Sequence, residues 1–221
     1  MTMAGRATVG MLVLGWAMFS AVVGVRAADA GFTVYDIRYW IGTGSNQAVL
    51  VIDWNDGPGP RSLAWGYRWD GSATGEDMLT AIVNADPRLN WRVGAFSDYG
   101  LPLYGVGYDL NDDGILPTIR PETVGADTSG DHWADGWFTA GYWGYYIDDD
   151  GNNTAGDSWG FPDVGMSMRA LCDGVWDGWS FAPGFSGDAP SEPVAAIPEP
   201  GTISLLALGA GAILLRLRRR R

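Results

Sequence analysis

A period of two, carried by aromatic residues, constrains this chain more than any other feature. In SLAWGYRWDG, Leu63, Trp65, Tyr67 and Trp69 fall on one face of an extended segment, and Ser62, Ala64, Gly66 and Arg68 on the other. A helix would spread these four large side chains around its axis; a strand lines them up. The same alternation marks strands over 32–41, 48–54, 91–96, 103–110, 137–147, 164–171 and 176–181, separated by turn-forming runs such as NDGPGP, NDDG and DDDGNN. One segment has a different period. In TGEDMLTAIVNADP, Thr74 suits a helix cap, Glu76 and Asp77 suit the first turn, and Met78, Leu79, Ile82 and Val83 make an apolar stripe that stops at Asp86-Pro87. The expected fold is mainly β, in the α+β sense: an antiparallel, sheet-rich single domain over 31–182 with one short helix. Residues 183–197, rich in Pro, Ala, Ser and Gly, read as a linker.

Charge excludes one class of partner. The chain has 14 Lys and Arg, all of them arginine, against 26 Asp and Glu, for a net charge of −12. Over 31–190 only seven arginines face 23 acids, so nucleic acid, which needs clustered cations, is not expected as a partner. The single cysteine, Cys172, has no intrachain partner for a disulfide.

The two ends read as addresses. Residues 1–30 carry an early arginine, Arg6, an apolar run from Val9 to Val25 and small residues at Ala27, Ala28 and Ala30, the layout of a cleavable secretory signal peptide. An uncleaved anchor is the alternative. At the other end, Pro198, Glu199 and Pro200 precede an apolar run from Thr202 to Leu215. Five arginines follow, Arg216, Arg218, Arg219, Arg220 and Arg221. Fourteen apolar residues are short of the ~20 that usually span a bilayer. Arginine side chains that reach back toward the headgroups extend the usable length, so a C-terminal transmembrane helix with its basic end inside is expected.

Residues 198–221 together resemble the PEP-CTERM sorting signal of Gram-negative bacteria that make extracellular polysaccharide. That resemblance implies exosortase as a partner that removes the tail, membrane attachment before processing, and a cell-surface or extracellular destination. More loosely, GEDML, WGYYIDDDG and DGVWDGWSF resemble the transcobalamin-C-terminal-like modules of bacterial surface proteins, which implies a small ligand-binding, β-rich domain.

Three kinds of chemistry compete for the body. Eleven of the twelve tryptophans lie outside the first 30 residues, several beside Asp-Gly, and aromatic faces stack on sugar rings or flat cofactors. Trp65, Tyr67, Trp69, Trp143, Trp176 and Trp179 are the expected platform for a polysaccharide or small ligand; the alternative is that they fill the core. In DLNDDG, Asp109, Asn111 and Asp113 alternate ahead of Gly114, the front half of a calcium loop, although Arg120 stands where such a loop needs a bidentate Glu. A solvated hairpin turn would use the same residues. For catalysis, residues 31–190 offer one histidine, His132, and two glutamates, Glu76 and Glu122, but no recognised nucleophile or metal-protease pattern. The expectation is therefore an exported matrix or surface protein without catalytic activity, with a ligand-binding module and an extracellular hydrolase as alternatives.

Overall fold

Ala48, Leu50 and Ile52 on one side and Val49 and Val51 on the other make β2 (Asn46–Asp53) apolar on both faces, and all five side chains are buried. Such a strand is stable only in the middle of a sheet covered on both sides. In the computed structural model, which describes residues 31–98, 100–117, 120–155 and 158–198, that is its position. The described residues lie in one unit that begins at Gly31.

β2 pairs antiparallel with β3 (Ser62–Trp69) and parallel with β8 (Val175–Pro183), and β8 pairs antiparallel with β7 (Gly141–Asp148). The outer edge of β3 carries two short parallel strands, β1 (Trp40–Gly42) and β9 (Val194–Ala195). A second, antiparallel sheet holds β4 (Leu89–Val93), β5 (Leu103–Tyr108) and β6 (His132–Asp135) in that order. The main sheet is thus mixed rather than purely antiparallel. A short connection over 54–61 brings β3 back antiparallel beside β2, whereas β8 arrives some 120 residues after β2, and no local turn sets its direction.

One face of the main sheet packs Leu50, Trp65, Trp143, Trp179 and Phe181 against α1 (Gly75–Ala85) and the small sheet. On the other face, Val49, Val51, Ala64 and Trp176 are covered by Val34, Ile37, Phe32 and Trp159. Gly66 belongs to this second face because the Trp40 ring lies flat on it; a Cβ there would stand 2.3 Å from that ring. α1 begins and ends as the sequence predicts. Thr74 Oγ1 accepts from Asp77 N at 3.2 Å while Asp77 Oδ2 accepts from Thr74 N at 2.8 Å, a closed capping box.

Several expected elements differ. Of 32–41 only the last two residues are strand, in β1 (Trp40–Gly42); Val34–Asp36 is a short 3-10 turn. Residues 164–171 are turns rather than a strand, with only an isolated Ala170–Thr74 bridge to the cap of α1, because Gly165 and Arg169 form a local turn instead of a ladder. β6 was not anticipated. Residues 183–197, read as a linker from their composition, are folded: β8 extends to Pro183, β9 pairs with β3, and Ala196 is buried. Among the described residues no helix is long and apolar enough to cross a membrane; the expected signal peptide and C-terminal transmembrane helix lie outside them.

Asp86, fully buried at the end of α1, joins three elements. Its carboxylate accepts from Trp65 Nε1 at 3.0 Å, Tyr108 Oη at 3.5 Å and Arg88 Nε at 3.4 Å. Asp86→Ala leaves a buried indole N–H and a nearly buried guanidinium without their acceptor. Loss of about 3–5 kcal/mol of stability is expected in urea unfolding followed by tryptophan fluorescence, and a loss under about 1 kcal/mol would show that the network carries little.

Candidate functional site

Residues 143 and 145 of β7 and 179 of β8 point toward the same side of the main sheet, as the two-residue period requires. There they form the floor of a cleft of about 600 Å³. Tyr145 and Trp179 stack with ring centroids 4.6 Å apart and planes 18° apart. Trp143 is fixed by its Nε1, which donates to Ala134 O at 3.1 Å, and by an edge contact with Phe181. Tyr104 from β5 and the exposed Trp137, whose rings lie 5.5 Å apart, make one wall; Phe161, Met166 and Met168 make the other.

The rim is apolar, open and pinned. Trp137 is 42 % exposed and Phe161 70 %. Exposed apolar surface of this kind marks binding faces more often than accidents of packing. Beneath Trp137, Glu122 Oε2 accepts the backbone N–H groups of Trp137, Phe138 and Thr139 at 3.2–3.4 Å and the Thr139 hydroxyl at 3.1 Å. Across the cleft, Ser167 Oγ accepts from Leu101 N at 2.9 Å. Both rim loops are therefore held by side-chain clamps.

A buried polar cluster lies under the floor. Asp177 accepts from the Tyr145 hydroxyl and, at 3.5 Å, from Arg169 Nε; the guanidinium of Arg169 also reaches Asp149. The cluster abuts the first residue of α1. A Cβ at Gly75 would stand 2.5 Å from Tyr145 Oη and 2.8 Å from Asp177 Oδ2, so only glycine lets the helix N-terminus approach this closely. Arg169 thereby ties the 161–169 wall to the sheet.

The expected aromatic platform is not one surface. Trp143 and Trp179 are in the cleft. Trp65 is wholly buried on Asp86, and Trp176 is on the opposite face of the sheet beside Phe32. Tyr67 and Trp69 stack, centroids 5.5 Å apart, in a separate hollow against α1 with Glu76 and Asp77. Tyr145 was legible from the same period that gave Trp143. Tyr104, Trp137 and Phe161 come from other strands and turns, and no spacing links them to β7.

The other candidates hold structure. In the Asp109 turn, Asp109 Oδ2 accepts from Gly114 N at 2.9 Å, Asn111 Oδ1 from Asp113 N at 2.9 Å and Asp113 Oδ1 from Ile115 N at 2.8 Å. These oxygens face the loop's own amides, and among the described residues no group of three or more His, Cys, Asp or Glu side chains is disposed to hold a metal. Asp131 Oδ2, buried without a protein partner beside this turn, is the one feature that favours a bound water or ion. His132 is buried against Trp54, with Nδ1 2.9 Å from Asp56 and Nε2 3.0 Å from Pro60 O, so both ring nitrogens are occupied. Partial desolvation works against ionisation of Glu122, but its backbone and hydroxyl donors hold its carboxyl down at about 2, unsuited to donating a proton near neutrality.

Burial pushes the Asp177 carboxyl up to about 6, against the pull of the Tyr145 hydroxyl and Arg169. In the unfolded chain an aspartate titrates near ~3.9. The folded value is the higher one, so the folded state holds the proton more tightly. The stabilisation tied to this proton is full below about pH 4 and is lost as pH rises through 6, a swing of about 2–3 kcal/mol. The stability difference between wild type and Asp177→Asn in urea unfolding should shift by that amount between pH 4 and pH 7. A difference independent of pH would show that Asp177 titrates normally.

No curated protein and no solved structure matches this chain. A family match covers the C-terminal end: residues 196–221 match the PEP-CTERM protein-sorting motif. Pro198, Glu199, Pro200 and the terminal arginines thus lie inside a recognised signal, and the chain carries at its C-terminus the PEP-CTERM motif that addresses an exported protein to exosortase.

Proposed function

We propose that this is a surface or extracellular-matrix protein, processed by exosortase and without catalytic activity, that associates with exopolysaccharide through its aromatic cleft. The observation that carries the reading is the cleft itself: a stacked Tyr145–Trp179 floor, with Tyr104, Trp137 and Phe161 at the walls, about 600 Å³ in volume. Sugar rings present flat C–H faces that stack on such side chains, with ring hydroxyls left for the few polar groups at the edge, here Ser97 and Asp163. Clamped loops lower the ordering cost of binding, since the walls are already in place. The acidic body keeps the protein soluble and repels anionic surfaces, so a neutral or weakly charged glycan is the fitting partner.

The direct test is calorimetric titration of the protein, recovered from its producing cells, with oligosaccharides prepared from those cells' own polysaccharide. Binding that weakens at least tenfold in Trp137→Ala and Phe161→Ala, with melting temperature unchanged, is the expected result. Absence of binding overturns the glycan assignment. A small molecule released from the native protein on denaturation would give the cleft to that ligand instead.

A further inference from the structure

The sorting motif and the folded body share residues. The match to the motif begins at Ala196, yet Ala196 is 2 % exposed, packs in the main core and donates its N–H to Ala64 O at 2.9 Å. The next residue is also tied: the Ile197 carbonyl accepts from Arg88 Nη2. Arg88 is no free surface cation, because its guanidinium lies 4.9 Å over the Tyr108 ring and its Nε reaches the buried Asp86. Among the described residues, this attachment reaches the residue immediately before Pro198.

The attachment continues upstream. Val194 and Ala195 pair with Leu63 and Ala64 on the open edge of β3. Ser191 N and Oγ both donate to the buried Asp53 at 2.8 Å, and Glu192 Oε1 accepts from Phe32 N at 2.7 Å. Residues 191–197 form a strap fastened to Asp53 of β2, to the edge of β3, to Phe32 in the opening segment and to Arg88 after α1. A protease takes its substrate as an extended segment several residues long, whose backbone groups pair with the enzyme. Those groups on the N-terminal side of the PEP tripeptide are already paired with β3 and Arg88. Between Ile197 and the apolar run at Thr202 only four residues intervene, at most ~14 Å of extended chain.

We propose that this strap is a brake on processing: β9 and the Arg88–Ile197 bond must come off the sheet edge before exosortase can seat the chain and cut. The inference rests on the exosortase reading above. The bond broken is a peptide bond in or beside residues 198–200; water or an amine acceptor takes the acyl carbon, and the tail departs with the new amino group. The rate of tail removal is then set in part by how readily the strap opens, and the body leaves the membrane with β9 free to re-dock.

The test is a pulse-chase of the full-length chain in its producing cells, following conversion of precursor to processed protein. Ser191→Ala combined with Glu192→Ala loosens the strap outside residues 196–221, so the motif is intact. Inserting Gly-Ser-Gly-Ser between Ile197 and Pro198 leaves the strap fastened but supplies slack. Processing at least threefold faster than wild type in both variants, with the melting temperature of the double variant within a few degrees of wild type, is expected. Wild-type or slower rates in both overturn the brake while leaving the sorting reading intact. A wild-type chain that keeps its tail throughout the chase overturns the exosortase reading and the brake with it.

Discussion

A strand that is apolar on both faces cannot sit at an edge, and β2 imposes this condition on everything else. It needs a neighbour on each side, supplied by β3 and β8, and a cover on each face. One cover is α1 with the small sheet; the other is the opening segment with Ala155 and Trp159. The aromatic faces of β3, β7 and β8 follow from the first cover. Where α1 ends its contact with the sheet and the small sheet begins, the floor of β7 and β8 stays partly open, and that gap is the cleft.

Buried carboxylates brace the strands and connections within these layers. Asp53, Asp86, Asp135 and Asp177 are all almost fully buried, and each is met by an arginine: Arg61, Arg88, Arg92 and Arg169. The chain has no lysine, and a planar guanidinium suits these sites better, since it offers several donors in a fixed plane. Arg92 meets Asp135 with two bonds of 2.6 Å. Such pairs add less to stability than their Coulomb attraction suggests, because both charges lose their hydration. A segment that moved away from its arginine would leave a buried carboxylate unpaired, which is costly.

The aromatic cleft and the sorting motif adjoin the same sheet, and the fold connects them through β3. Its Trp65 joins the Asp86–Arg88 network, and its outer edge holds the strap that leads into the sorting motif. Opposite that edge, across β2 and β8, lies β7 with the floor of the binding cleft. The cleft and the start of the sorting motif therefore lie at opposite sides of one sheet.

Local chemistry made part of this legible. The capping box at Thr74 and Asp77, the stop at Asp86-Pro87, the aromatic face of β3 and the signal that starts near Pro198 all depend on neighbours within a few residues, so the sequence determined them. The mixed sheet, the folding of 191–197 onto β3, and the splitting of six expected platform residues among a cleft, a second hollow, the core and the opposite face did not follow from any local pattern. Alternation tells which residues share a face of one strand, but which strand lies beside it depends on contacts between segments far apart in the chain. Trp65 and Trp143 have the same local signature; only the packing of α1 over one and the opening beside the other made the first a core residue and the second part of a site.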